Sequence, residues 1–519
     1  FSDGKIHCFC PLFKVYLVLK GGQNMLKKES GQKDFFDSYV YERLLPNKHI
    51  LLDIKESLDF SFVDEAAKDL YSDTMGRPSF PPQVLFKMLF LEFFYNLSDY
   101  DVVEQVKTNV LFRYFAGLGI SEDTPDDTTL VVFRKRLGEE RFKRLFDDVV
   151  AKAKEKGLIK DTLKILDATH IIADIAIPST VNLLRHGRRR IIKRIEKRLS
   201  PTVKEKYFNE KNLTYKPTKE TLEEEVALTR SFIDELKGKF TEEIGEDMEL
   251  LEGIIAPKDT KPGEPKDQLV SFVDSDAGFG HKSIDKPFCG YKSHISIDAD
   301  SGIVTSARTI SGNRNEGNND EVKAILDDDE SKDITHKAVT ADSLYDSYEN
   351  RLDMHKRKMR AFIPSRTRTR KKRVHIENFI YDEDKDTLMC PEGYSPISKT
   401  SQENGNLFIF STKSCRGCPQ INGCPKPNND RIRVFVSNDY KLMLLDNIPD
   451  RKEALLRRKM IEGKFGEAKK WHALHRARYR GKWRVAIQVF MTFTVLNVKR
   501  MMKLSLPTPE YALCGKGFG

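Results

Sequence analysis

Residues 163–176 read LKILDATHIIADIA, a short apolar run rich in β-branched residues that predicts a strand ending on a carboxylate, Asp167. Working outward, GYKSHISIDADSGIVTSARTI (290–310) holds two β-favouring runs, 291–297 and 303–310, joined by the turn-forming DADSG. This predicts a hairpin. HKAVTADSLYDS (336–347) gives a further short strand ending at Asp342, a segment of helical composition follows, and AFIP (361–364) supplies another brief strand. Strands alternating with helices predict an α/β core.

On the N-terminal side the texture is helical. Val84, Leu85, Met88, Leu89 and Phe93 recur at helical spacing, and Ser98 is placed to cap a second helix carrying Val102, Val103 and Val106. In DDTTLVVFRKRLG (126–138), Asp127 or Thr128 can cap a helix that stacks Phe133 on Leu137 and leaves Arg134, Lys135 and Arg136 exposed, a candidate DNA-facing surface. Residues 181–239 are highly charged and helix-favouring, with Arg185, Arg188, Arg189, Arg190, Lys193, Arg194, Lys197 and Arg198 packed together. The linker APKDTKPGEPKD (256–267) closes this insertion. From 373 to 440 short β-favouring runs, among them LFIFS and RIRVFVS, bracket a cysteine cluster, and one long helix is predicted near 450–474. The expected organisation is an N-terminal segment (1–68), a helical DNA-binding domain (69–157), a core in three pieces (158–180, 269–372, 446–503), a charged helical insertion with its linker (181–268), a β-rich insertion (373–445) and a tail (504–519).

A chain of 519 residues exceeds what one hydrophobic core usually serves. With 39% hydrophobic and 32% charged residues it has the material for real cores, which excludes wholesale disorder. Lys plus Arg number 88 against 78 Asp plus Glu, and the formal charge of +10 favours a polyanionic partner. The longest apolar run, 485–498, is broken by Gln488, Thr492, Thr494 and Asn497 and is too short to span a bilayer, so a buried amphipathic helix is expected. Residues 6–19 lack a basic start and a small-residue cleavage site, so no signal peptide is expected and the location implied is cytoplasmic, with no membrane partner.

Two strand-end aspartates and Glu462 on the late helix supply hard oxygen ligands suited to Mg²⁺ or Mn²⁺. At about 100° per residue, Arg458 and Lys469 fall within about 40° of Glu462 on one helix face, and Gly466, costly in a helix interior, suggests room for a close backbone or ligand. Asp274, Asp276, Asp298 and Asp300 read as turn residues.

These motifs resemble the DDE transposases of bacterial insertion sequences, in the branch with a β-rich insertion between the second Asp and the Glu. DATHIIADIA resembles the first-Asp motif, VTADSLYDS the second, and RRKMIEGKFGEAKKWHALHRARYRG (457–481) the glutamate signature, whose Arg, Glu and Lys fall on Arg458, Glu462 and Lys469 while its Tyr position holds Leu455. The resemblance runs from about residue 75 to about 502. It implies an RNase H-like catalytic core, a catalytic, metal-binding set of Asp167, Asp342 and Glu462, and phosphate contacts from Arg458 and Lys469. It also implies partners: terminal inverted repeats and target DNA, met by a homodimer or higher oligomer in the DNA complex, associated with the nucleoid.

Two features lie outside the triad. CRGCPQINGC (415–424) places Cys415 and Cys418 at the spacing of a metal knuckle, with Cys424 and Cys390 as further ligands for a structural Zn²⁺. RTRTRKKR (366–373) and the run Arg476, Arg478, Arg480, Lys482, Arg484 flank the triad in sequence and are candidate phosphate grips, whereas Trp471 and Trp483 are assigned no DNA contact.

Overall fold

A computed structural model of the chain describes residues 35–71, 79–175, 179–207, 218–256, 269–283, 286–365, 378–421, 424 and 431–505. The basic tract 366–373, most of the linker and both ends of the chain lie outside the described residues.

Among the described residues seven α-helices come first: α1 (Phe35–Leu44), α2 (Ile50–Ser57), α3 (Ser61–Ala67), α4 (Pro82–Tyr95), α5 (Asp99–Thr108), α6 (Val110–Ala116) and α7 (Asp127–Glu155). Pro82 opens α4 at a position where no amide is needed, and Asn96 ends it in the left-handed region at φ 56°. Ser98 caps α5 in a reciprocal box with Asp101. The cap of α7 is Asp126, one residue earlier than expected, because its carboxylate reaches Thr129 N at 2.6 Å. At Gly138 (φ 68°, ψ −179°) α7 kinks, a backbone conformation open only to glycine.

The central sheet contains β1 (Leu163–Ile172), β2 (Gly278–Ser283), β3 (Lys286–Asp298), β4 (Val304–Ser311), β5 (Ala338–Thr340) and β6 (Arg360–Phe362). Its order is β2-β3-β1-β5-β6, with β4 also on β3. The pairs β1–β3 and β3–β4 are antiparallel, and β1–β5 and β5–β6 are parallel. The β3–β4 turn is held by Asp298, whose side chain accepts from Ser301 N at 2.7 Å, with Gly302 at φ 71°. Asp276 lies in the turn at 275–276 and Asp274 just before it, as expected, and both have a further role. They accept the backbone N–H groups of Gly481 (3.2 Å) and Lys482 (2.8 Å) and tie down the start of the last helix.

Alternation along the strands divides two cores. Leu166, Val339 and Ala361 pack on α12 (Asn319–Glu330) and α13 (Tyr348–Lys356). Ile165, Ile295 and Ala307 face the other way, into a core shared with α18 (Lys482–Ser505) and with α2–α7. The N-terminal helices therefore have no core separate from the sheet. Helix α18 is buried along all of 485–498 rather than on one stripe, since α7 and α4 cover one side and β4 the other. Its polar residues are partnered inside: Gln488 donates to Arg476 O at 2.8 Å, Thr492 to His472 O at 2.8 Å, and Asn497 to Val304 O at 2.8 Å. Among the described residues no helix is long and apolar enough to cross a membrane.

Two further clusters stand apart. Helices α8 (Thr180–Arg194), α9 (Pro201–Tyr207), α10 (Lys219–Leu236) and α11 (Thr241–Ile255) enclose their own core with Phe272. The second cluster joins hairpin β7 (Ile380–Asp382) and β8 (Thr387–Met389) to a sheet of β9 (Ser398–Gln402), β10 (Gly405–Ser411) and β11 (Arg431–Ser437), with α14 (Thr412–Cys415) and α15 (Asn438–Leu445). The long helix expected near 450–474 is two, α16 (Asp450–Arg457) and α17 (Met460–Trp471).

Candidate active site

Parallel pairing of β1 with β5 ends at Ile165↔Thr340, and Asp167 and Asp342 each lie two residues further along their chains. That equal offset sets them side by side. Asp167 is not at the end of its own strand as expected, because β1 continues to Ile172 on β3; it is the partner β5 that stops. Asp342 caps the 3₁₀ turn Ser343–Tyr345 by accepting Leu344 N at 2.7 Å, and Asp167 accepts Ala168 N at 2.8 Å. Burial pushes the Asp167 carboxyl up to about 7; the Ala168 amide and Arg458 oppose the rise, and Asp342 and Glu316 add to it.

Several groups around this pair were not singled out by sequence reasoning. Glu316 accepts from Lys292 Nζ at 2.6 Å. Its loop is locked to the Asp342 turn by Asn350, which donates to Gly317 O at 2.8 Å and to Tyr345 O at 2.9 Å. Gly317 is required there, since a β-carbon would overlap the Leu344 carbonyl. His294, opposite Ala168 in β3, is fully buried with its ring 5.7 Å from that of Tyr345. Among the described residues neither His294 ring nitrogen nor the Tyr345 hydroxyl has a hydrogen-bond partner. Burial, then Arg308 and Lys292, hold His294 down to about 3, so it is neutral. Nothing in the local pattern marks these residues, because each gains its meaning from a distant strand.

Glu462 stands on the exposed side of α17, which packs on β1. A β-carbon at Gly463 or Gly466 would meet open space, so this side is uncovered. Between Arg458 and Glu462 the helix tightens, with bonds from Ile461 N to Arg458 O and from Glu462 N to Lys459 O (both 3.2 Å), while Arg458 and Lys459 keep right-handed helical backbone angles. Arg458 acts on Asp167, and Lys469 Nζ reaches His170 Nδ1 on β1 at 3.5 Å. Asp167, Asp342 and Arg458 are thus brought together. Among the described residues no group of three or more His, Cys, Asp or Glu side chains is set to hold one metal ion.

The candidate DNA-binding cations divide. Arg134 is 6% exposed and pairs with Glu92 (3.3 Å) and Asp99 (2.5 Å). Arg478 pairs with the same Glu92 at 2.7 Å and donates to Leu97 O. For Arg134 this is a correction, since the buried carboxylate on α4 draws its guanidinium in from the expected exposed face, whereas Arg478 is engaged by the same carboxylate and stays partly exposed. Arg136 is exposed beside the Tyr71 ring, Arg476 is 62% exposed and pairs with Asp174 at 2.8 Å, and Arg480 donates to Asp174 O at 3.4 Å. In the tract on α8, Arg185 and Arg188 pair with Glu225 inside the helical cluster, whereas Arg189, Arg190, Lys193 and Arg194 line a shallow basic depression with His186. Cys390, Cys415, Cys418 and Cys424 are free thiols lining one pocket. Burial, then the neighbouring thiols, raises Cys415 and Cys424.

Comparison with known proteins places two segments. Residues 39–136 match the model of a transposase domain (DUF772), and residues 389–502, which include Arg458, Glu462 and Lys469, match that of a transposase DDE domain. These two matches support a DDE-type transposase of the insertion-sequence type. An uncharacterised protein, ORF8 in the nfe locus of Rhizobium meliloti, is 25% identical over 133 residues, which is 25% of this chain and 63% of that one. The piggyBac transposase in a synaptic complex with hairpin DNA aligns over 63% of this chain and 68% of its own at 9% identity, with a TM-score of 0.23, too low to bear on the fold.

Proposed function

We propose that this transposase binds the ends of its element and carries out metal-dependent strand cleavage and strand transfer, with Asp167, Asp342 and Glu462 as the metal-holding set in an RNase H-like core. The observation that carries the reading is the pair Asp167 and Asp342, set at equal offsets beyond the end of one parallel strand pairing with Arg458 beside them. The sheet order, three antiparallel strands leading into a parallel β1-β5-β6 edge, supports the same core.

The donors fit a hard cation: two neighbouring, partly buried carboxylates, each accepting a backbone amide. When bound, Mg²⁺ or Mn²⁺ would supply an activated water and charge stabilisation at the scissile phosphate. Asp167 and Asp342 hold their carboxylates together through the β1–β5 pairing and the Asn350 lock, and neutral His294 excludes water behind them. Glu462 joins from the open side of α17, where end DNA would also meet Lys469 and Arg458. Arg136, Arg476 and Arg480 are surface cations for the phosphate backbone.

The test compares cutting with binding of the same end DNA in Mg²⁺. Glu462→Gln keeps shape but removes the charge that holds a divalent ion, so cleavage should fall by orders of magnitude while binding survives. Asp342→Asn should show the same split. Near-normal cutting by Glu462→Gln would overturn the assignment, and cutting without end joining by the native chain would make it a nuclease.

A further inference from the structure

The catalytic reading makes no use of the cysteines in the β-rich cluster. Cys390 follows β8 and opens the turn Cys390-Pro391-Glu392-Gly393, whose glycine has φ 81°. Tyr394 N donates to Cys390 Sγ at 3.3 Å, and Cys390 N donates to Tyr394 O at 3.0 Å. Cys415 ends α14 and opens a second turn through Gly417 at φ 84°, in which Cys418 N donates to Cys415 O at 3.2 Å. Each turn reverses the backbone through a left-handed glycine two or three residues after a cysteine. In the first turn an amide already points at the sulfur, the arrangement that stabilises a thiolate ligand.

The loop carrying three of the thiols has little else to hold it. Among the described residues from 412 to 424 none is buried, although the loop sits beside Phe379, Phe410, Ile432 and Val434. All four cysteines nonetheless line that one pocket, brought there from two separate places in the chain. We propose that Cys390, Cys415, Cys418 and Cys424 form a structural tetrathiolate site for zinc that fastens the α14 loop to the β7–β8 hairpin. Thiolate donors with a two-residue knuckle select zinc over the hard cation of the carboxylate site. The side chains are not yet closed to metal-ligand geometry, so binding requires them to turn into the pocket they share.

The test uses the full chain purified with reductant and without chelator. Elemental analysis should find about one zinc per chain, and X-ray absorption should show sulfur ligands at about 2.3 Å. A mercurial thiol reagent should release that zinc. Cys418→Ser should bring the zinc content from about one to near zero, whereas Cys289→Ser, in the central sheet, and Asp342→Asn, at the carboxylate pair, should leave it unchanged. If Cys418→Ser is insoluble, the mercurial titration and absorption spectrum of the native chain decide. A zinc-free native protein, oxygen-only ligation, or loss of zinc in Asp342→Asn would overturn the proposal.

Discussion

At the residue scale, Asp167 is a carboxylate whose ionised form is held at a cost to stability. Its carboxyl is raised from an ordinary 3.8 to about 7, by burial first, so the folded chain binds this proton more tightly than the unfolded chain does. The sign follows: the stability linked to this proton is fully present below the ordinary value, is lost as pH rises from about 4 to about 7, and is absent above that. Asp167→Asn, which cannot ionise, should therefore raise the Tm of metal-free protein at pH 8 by on the order of a few degrees and leave it nearly unchanged at pH 4. Calorimetry in chelator at both pH values checks this, and a lower Tm of the variant at pH 8 would contradict it. Added Mg²⁺ should stabilise the native chain more than the variant.

At the scale of elements, α4, α7 and the segment before α18 are joined by one buried charge network. Glu92, 1% exposed, receives Arg134 from α7 and Arg478 from the segment after α17, and Arg134 also holds Asp99. Burial raises the Glu92 carboxyl to about 7, Asp99 adds to the rise, and the two guanidiniums oppose it. Removing one partner leaves buried charge uncompensated, so Arg134→Met should cost about 3–5 kcal/mol. Adding Glu92→Gln should return part of that loss. The affinity of folded Arg134→Met for DNA, measured well below its melting point, should match the native chain; a several-fold loss there would restore Arg134 to the DNA surface.

At the scale of the whole molecule, the distribution of cores decides which parts are independent. Helices α8–α11 close a core of their own, completed by Phe272, so residues 179–272 expressed alone should give a helical spectrum and a cooperative melt. Helices α2–α7 bury one side against α18 and the sheet, so residues 35–155 alone would expose that apolar face. That fragment should bind a hydrophobic dye and self-associate in size-exclusion chromatography. A monomeric, dye-silent 35–155 would show that the shared core is dispensable.

The sequence by itself determined the elements and their chemistry: the strand that carries Asp167, the DADSG hairpin, the Ser98 cap and the transposase motifs, because each rests on residues close together in the chain. Tertiary structure decided what the elements do to one another. Arg134 and Arg136 are two residues apart on α7, yet one is buried on Glu92 and the other exposed, a difference set by where α4 packs. Arg458 and Glu462 read as one helix face, and it is the packing of α17 on β1 that brings Arg458 close enough to act on Asp167. Asp342 meets Asp167 only because β5 pairs with β1 and stops at Thr340, and Glu316, His294 and Asn350 enter the same neighbourhood through strands and loops far away in the chain. Periodicity reports which side of an element is apolar, whereas long-range pairing chooses which polar groups that side will meet.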